Sequence, residues 1–333
     1  MSPLSVAGRM AFTLGIHESV DLIFPPTVLR DALDSDDDAD AADATAADPD
    51  DGSEVRVVGS VADLEACDGL VTFAYEDAFL SSGLSWVHSI QAGVDRFPFD
   101  EFESRGLRLT NSTGIHGDTV GETVLGYMIQ FARRLHRYRD RGRDGEWKHP
   151  EWNEPFTLSG ESLCVVGLGT LGRGIAARAD ACGMDVVGVR RTPTPVDHVR
   201  EVYTPGEIEA AVEGARFVAV ATPLTEETRG LIGADVLAAM PESGYLLNVS
   251  RGGVVDEAAL LEALEADRLA GAALDVFETE PLPEESPFWN REDVIVTPHA
   301  AAATRDYYRR IADIVRENRR RTIAGESLVN RVI

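Results

Sequence analysis

A glycine run, Gly167-Leu168-Gly169-Thr170-Leu171-Gly172, lies near the middle of the chain, after an apolar run at 163–166 and before a helical pattern at 171–182. A strand, a glycine turn and a helix start, in that order, make a cradle for a dinucleotide pyrophosphate. Gly167 would permit the tight turn, Gly169 would let backbone approach the phosphates, and Gly172 would let helix and strand pack closely. The helix N-terminus, at Thr170 and Leu171, would add N–H donors and positive potential. NAD sites place an acid for the ribose hydroxyls at the end of the next strand. Here 186–189 ends in Arg190-Arg191-Thr192, with Arg190 18 residues beyond Gly172. A guanidinium attracts a 2′-phosphate and offers a 2′-hydroxyl no acceptor. The expectation is that NADP(H) is favoured and NAD(H) is possible. The competing reading is two arginines solvating a turn.

A second group spans the last third: Arg251, then Glu280 29 residues on, then His299 after 19 more. Taken singly, an arginine in a glycine-rich loop, a glutamate before a proline and a histidine after one are more often solvated or turn residues. Their company changes that reading. The segments Pro223-Leu224-Thr225-Glu226-Glu227-Thr228, Asn248-Val249-Ser250-Arg251-Gly252-Gly253, Ala273-Leu274-Asp275-Val276-Phe277-Glu278 and Thr297-Pro298-His299 follow in order. With 86–95 and 111–122, they resemble the D-isomer-specific 2-hydroxyacid dehydrogenase family over nearly the whole chain. Among its members, the chain resembles the salt-adapted, haloarchaeal-type, NADP-dependent ones.

That resemblance implies roles, and chemistry supports each. Arg251 would hold a substrate carboxylate through two N–H donors and polarise the 2-oxo group. His299 would be the proton donor in reduction and the base in oxidation. Glu280 would orient the imidazole and favour its protonated form. Asp275 would sit near the nicotinamide, Thr222 and Pro223 would border the coenzyme, and backbone N–H groups at Ala92 and Gly93 would complete the carboxylate site. The implied reaction interconverts a small 2-oxo acid and its D-2-hydroxy acid. Glyoxylate or hydroxypyruvate reduction and a phosphoglycerate dehydrogenase-like activity are alternatives, and a non-catalytic coenzyme-sensing scaffold is the alternative of another class. Loops around Tyr75, 91–97 and Trp289 suggest an aliphatic or small aromatic side chain on the substrate. The run Ala300-Ala301-Ala302-Ala303 departs from the glycine and serine that relatives carry after the histidine.

These residues need elements to position them. Strand and helix patterns alternate through both halves, with strands at 55–58, 69–74, 86–90, 163–166, 185–189, 217–221, 245–248, 272–274 and 294–296. Such alternation specifies an α/β fold. Two Rossmann-like, doubly wound, parallel-sheet domains with an active-site cleft between them are expected. The substrate-binding domain would be 1–117 plus 302–333, and the coenzyme domain 118–301. Apolar residues at helical spacing predict one long helix over 119–139, whose stripe would serve intradomain packing or a homodimer contact.

Composition bounds the rest. The chain of 333 residues holds 57 acids and 31 bases, a net charge of −26, and Lys148 is its single lysine. That charge argues against nucleic acid and anionic membranes as partners. With lysine so scarce, it points to adaptation to molar salt, where self-repulsion is screened within about 3 Å. The segment 34–54 contributes ten acids and no base, and is expected to be a solvated insert. Cys67, Cys164 and Cys182 form no disulfide or metal spacing, no metal site is expected, and Cys164 reads as a buried structural thiol. No span or signal peptide is apparent, so a cytoplasmic protein is expected.

Overall fold

The computed structural model describes residues 12–35 and 53–333. Most of the acidic segment, 36–52, therefore lies outside the described residues. The chain divides into two compact units, 1–115 with 304–333, and 116–303.

The first unit holds β1 (Thr13–His17), α1 (Pro26–Asp34), β2 (Glu54–Val58), α2 (Val61–Leu64), β3 (Gly69–Thr72), β4 (Trp86–Ser89), α3 (Phe99–Ser104) and β5 (Arg108–Asn111). All five strands are parallel, in the order β2-β1-β3-β4-β5. The order reverses between β1 and β3, the kind of position where open α/β sheets bind ligands. A later helix belongs to this unit and carries Ile311 and Val315 into the core beside Leu14, Ile16 and Leu29.

The second unit holds α4 (Gly117–Arg133), α5 (Leu135–Arg143), β6 (Ser162–Val166), α6 (Thr170–Ala181), β7 (Asp185–Val189), β8 (Glu201–Tyr203), α7 (Ile208–Val212), β9 (Phe217–Val220), α8 (Ala234–Ala239), β10 (Tyr245–Asn248), α9 (Glu257–Glu265), β11 (Gly271–Leu274) and β12 (Val294–Val296). The chain then returns to the first unit as α10 (Tyr307–Ala324). Seven parallel strands run β12-β11-β10-β9-β6-β7-β8, with the switch point between β6 and β9. Central strands such as β9 and β10 are buried at every position, because apolar cores cover both faces of the sheet.

The long helix expected at 119–139 is two helices. Arg134 turns left-handed at φ 56° and separates α4 from α5. Its guanidinium donates to the Tyr245 hydroxyl at 3.1 Å, and the Phe131 ring stacks on Tyr245 at 4.5 Å. The apolar stripe Val124, Met128 and Phe131 is consumed inside the unit. Close packing of α4 on α6 depends on missing side chains. A Cβ at Gly174 would lie 2.0 Å from the Gly117 carbonyl, and one at Gly121 would lie 2.5 Å from the Gly174 carbonyl. Among the described residues, no helix is long and apolar enough to cross a membrane.

Candidate active site

The glycine turn follows β6 at the switch point. Gly167 has φ 99°, and its Cβ would meet the Ala221 carbonyl after β9 at 2.7 Å. A Cβ at Gly172 would lie 1.9 Å from the Gly167 carbonyl, whereas one at Gly169 would meet nothing within 4 Å. The first and third glycines are thus required by the protein's own packing. The second leaves open space above a helix N-terminus that no side chain caps. Bare N–H groups at Thr170 and Leu171, facing space kept clear by Gly169, fit a pyrophosphate.

Thr222 and Pro223 continue from β9 on one side of this turn, and Arg190-Arg191-Thr192 follow β7 on the other. The Arg190 backbone is fixed by its N–H to the Tyr203 carbonyl, 3.0 Å. Its side chain is half-buried, while Arg191 and Thr192 are exposed.

The strands on the β9 side of the switch point lead to the second group of residues singled out in the sequence. Arg251 follows β10, Asp275 and Glu280 follow β11, and His299 follows β12, all at the strands' carboxyl ends. The loops after β10 and β11 touch. A Cβ at Gly252 would lie 1.9 Å from the Phe277 carbonyl carbon, so the residue after Arg251 has to be glycine. Arg251 is partly buried, with Nη1 donating to the Ser250 carbonyl at 2.7 Å.

Glu280 is held at both oxygens. Oε1 accepts the Phe277 N–H at 3.0 Å, and Oε2 lies 2.8 Å from His299 Nδ1. A carboxylate only accepts, so the hydrogen bond places a proton on Nδ1. Both side chains are more than a third exposed. Nearby, Glu257 accepts the Glu278 N–H at 2.6 Å, and burial raises its carboxyl above the usual range.

Asp275 is buried, and its carboxylate is occupied with the protein. It accepts from the Thr297 hydroxyl at 2.6 Å and from the N–H groups of Ala300 and Ala301 at 2.9 Å each. The alanine run thus serves through its backbone, which sequence reasoning could not show.

In the first unit, Ala92 and Gly93 follow β4. Three successive carbonyls before and at this turn are taken by neighbours. The Tyr307 hydroxyl donates to Ile90, the Ser112 N–H to Gln91 at 3.2 Å, and Asn111 Nδ2 to Ala92 at 2.6 Å. Among the described residues, no hydrogen bond takes the N–H groups of Ala92 or Gly93, which suits them to an anion. Tyr307 and Asn111 carried no sequence signal for this work.

Tyr75 and Phe97, expected to line a side-chain pocket, pack on each other and on Phe102, with the Tyr75 hydroxyl donating to Asp77 at 2.9 Å. Trp289 is half exposed and donates to the Pro283 carbonyl at 2.8 Å. Cys164 is fully buried, and burial pushes its thiol up to about 12.

A seven-stranded dinucleotide fold with a histidine–glutamate pair at its strand ends defines an NAD(P)-dependent oxidoreductase acting on a CH–OH group. Residues 125–301 match the profile of the D-isomer specific 2-hydroxyacid dehydrogenase NAD binding domain. The glyoxylate reductase of Korarchaeum cryptofilum is 34% identical over 80% of this chain and 82% of its own length. Glyoxylate/hydroxypyruvate reductase A of Arabidopsis thaliana is 35% identical over 75% and 79%. A D-isomer specific 2-hydroxyacid dehydrogenase of Xanthobacter autotrophicus, solved with NADPH and MES, superposes with TM-score 0.78 at 30% identity, over 97% of this chain and 98% of its own. An NADPH-dependent glyoxylate/hydroxypyruvate reductase of Sinorhizobium meliloti, solved with NADP and sulfate, gives 0.76 at 26%, over 97% and 98%. The chain belongs to the D-isomer specific 2-hydroxyacid dehydrogenase family, whose members interconvert 2-oxo and 2-hydroxy acids.

Proposed function

We propose that this protein is an NADPH-preferring reductase of small 2-oxo acids, with glyoxylate and hydroxypyruvate as the first substrates to test. The observation that carries this reading is the His299–Glu280 pair at 2.8 Å, carboxyl-terminal to the same sheet that bears the glycine cradle. Bound NAD(P)H supplies the hydride. With Nδ1–H held by Glu280, His299 as imidazolium gives its Nε2 proton to the nascent hydroxyl oxygen and is left as the neutral Nδ1–H imidazole, which can take a proton back in the reverse direction. Arg251 holds the substrate carboxylate and polarises the 2-oxo group, and in the first unit the open backbone N–H groups of Ala92 and Gly93 suit a carboxylate.

Arg190 supports the preference for NADPH, because it stands where an acid would otherwise select NADH. Three of the relatives named above bear the names of glyoxylate or hydroxypyruvate reductases, and the packed Tyr75–Phe97–Phe102 cluster leaves those rings engaged with one another rather than with a long side chain. A salt-adapted cytoplasmic protein fits the net charge of −26 and the free thiols. A homodimer fits Trp147 and Trp152, 99% and 94% exposed, since tryptophans left in water are typical interface anchors.

The test is coenzyme oxidation in KCl-rich buffer with graded 2-oxo acids. Wild type should oxidise NADPH faster than NADH, and His299→Ala should lower kcat by about 10²- to 10⁴-fold. Turnover unchanged in His299→Ala would defeat the acid–base assignment. A clear NADH preference would defeat the Arg190 assignment. Absence of turnover with every 2-oxo acid would favour the coenzyme-sensing scaffold.

A further inference from the structure

We infer that Tyr127 and Thr297 are positioning residues that hold the His299 loop in its working conformation through Asp275. This rests on the acid–base reading of His299. The starting point is strain. His299 has φ 51°, a left-handed conformation that a non-glycine residue keeps only when its surroundings impose it.

Here the imposing structure is a chain of hydrogen bonds inside the second unit. His299 N–H donates to the Asp275 carbonyl at 2.8 Å, and the next two N–H groups, of Ala300 and Ala301, donate to the Asp275 carboxylate. The loop therefore wraps one buried aspartate. That aspartate is itself held by Thr297, whose hydroxyl donates to Oδ1 at 2.6 Å. The threonine has a single proton to give and has given it to the carboxylate. The 2.6 Å contact between Thr297 Oγ1 and the Tyr127 hydroxyl is thus donated by Tyr127. Burial pushes the Tyr127 phenol up to about 12, so it stays a donor at working pH.

Tyr127 projects from α4, and so does Thr123, whose single hydroxyl proton lies between the Ala301 carbonyl at 2.9 Å and the Thr119 carbonyl one turn back at 3.1 Å. One rigid helix therefore holds the loop on both sides of the catalytic histidine. Nothing in the chain requires a reactant to touch Tyr127, so its contribution is to geometry.

The experiment compares Tyr127→Phe, Thr297→Val and Thr297→Ser with wild type and His299→Ala, using kcat and both KM values plus thermal melting. Loss of either hydroxyl should lower kcat about tenfold to a hundredfold through misplacement of the imidazole, with KM for the coenzyme unchanged. Thr297→Ser keeps the donor and should restore most of kcat. The inference is overturned if Tyr127→Phe and Thr297→Val fold and turn over like wild type, or if only their melting temperatures fall. It is also overturned if Thr297→Ser is as impaired as Thr297→Val. If His299→Ala itself keeps wild-type kcat, the acid–base reading fails as well, which separates the two failures.

Discussion

At the scale of single residues, glycines that look alike in sequence do different things. Gly169 faces open space, whereas a Cβ at Gly172 would strike the Gly167 carbonyl at 1.9 Å. Gly169→Ala should therefore keep its stability or gain up to about 1 kcal/mol. It should nonetheless weaken coenzyme binding about tenfold, the equivalent of about 1.4 kcal/mol. Gly172→Ala should lose about 3 kcal/mol of stability through overpacking. Urea melts and coenzyme titration by fluorescence read both quantities. Equal stability losses in the two variants would contradict the division of labour drawn from the contacts.

At the scale of elements, β4 and β5 enclose His88, whose Nδ1 and Nε2 meet the hydroxyls of Thr110 and Ser112 at 2.9 and 3.1 Å. Burial alone depresses its pKa from 6.5 to about 3. Below pH 6.5 the unfolded chain binds a proton that the folded one refuses. Stability is thus full above pH 6.5 and falls as pH drops toward 3, by about 1.4 kcal/mol per pH unit from this group. His17 and His136 are shifted downward by burial as well and add to the same acid limb. His88→Gln should flatten the fall in stability between pH 6.5 and 5, measured by urea unfolding. An unchanged slope would show that the proton is taken elsewhere.

The elements also show what sequence could reveal. Central strands appeared because burial on both faces writes a continuous apolar run, as at β9 and β10. The edge strands β5 and β8 escaped, since Arg108-Leu109-Thr110-Asn111 and Glu201-Val202-Tyr203 carry no such run. The break at Arg134 escaped because helical spacing continues across it, and the hydroxyl that its guanidinium meets, on Tyr245, lies 111 positions away. The glycine cradle and the Arg251, Glu280 and His299 set were readable as motifs. The Tyr127–Thr297–Asp275 chain was not, because its members share no local pattern.

At the scale of the whole molecule, charge dominates. Self-repulsion at −26 should be relieved as salt shortens its range. Melting temperature should rise from 0.1 M toward molar KCl, to the extent of several degrees, as about 1 kcal/mol moves Tm by about 2–4 °C in domains of this size. A falling melting temperature would remove salt adaptation from the account. Sedimentation tests assembly. Trp147→Ser with Trp152→Ser should convert a dimer to monomer, and an unchanged dimer would move the interface elsewhere.

The carbonyls behind Ala92 and Gly93 have a consequence for the protein's birth on the ribosome. The hydroxyl that fixes Ile90 comes from a residue 217 positions later, and the Asn330 side chain reaches back to the carbonyls of Asn111 and Thr113. The strands of that sheet emerge early, with Asn111 and Ser112 already able to hold the Ala92 and Gln91 carbonyls, but the Ile90 carbonyl gains its fastening only once α10 has emerged. A nascent chain stalled before α10 should bind coenzyme through its second unit while its turn at 92–93 is held less firmly than in the finished chain.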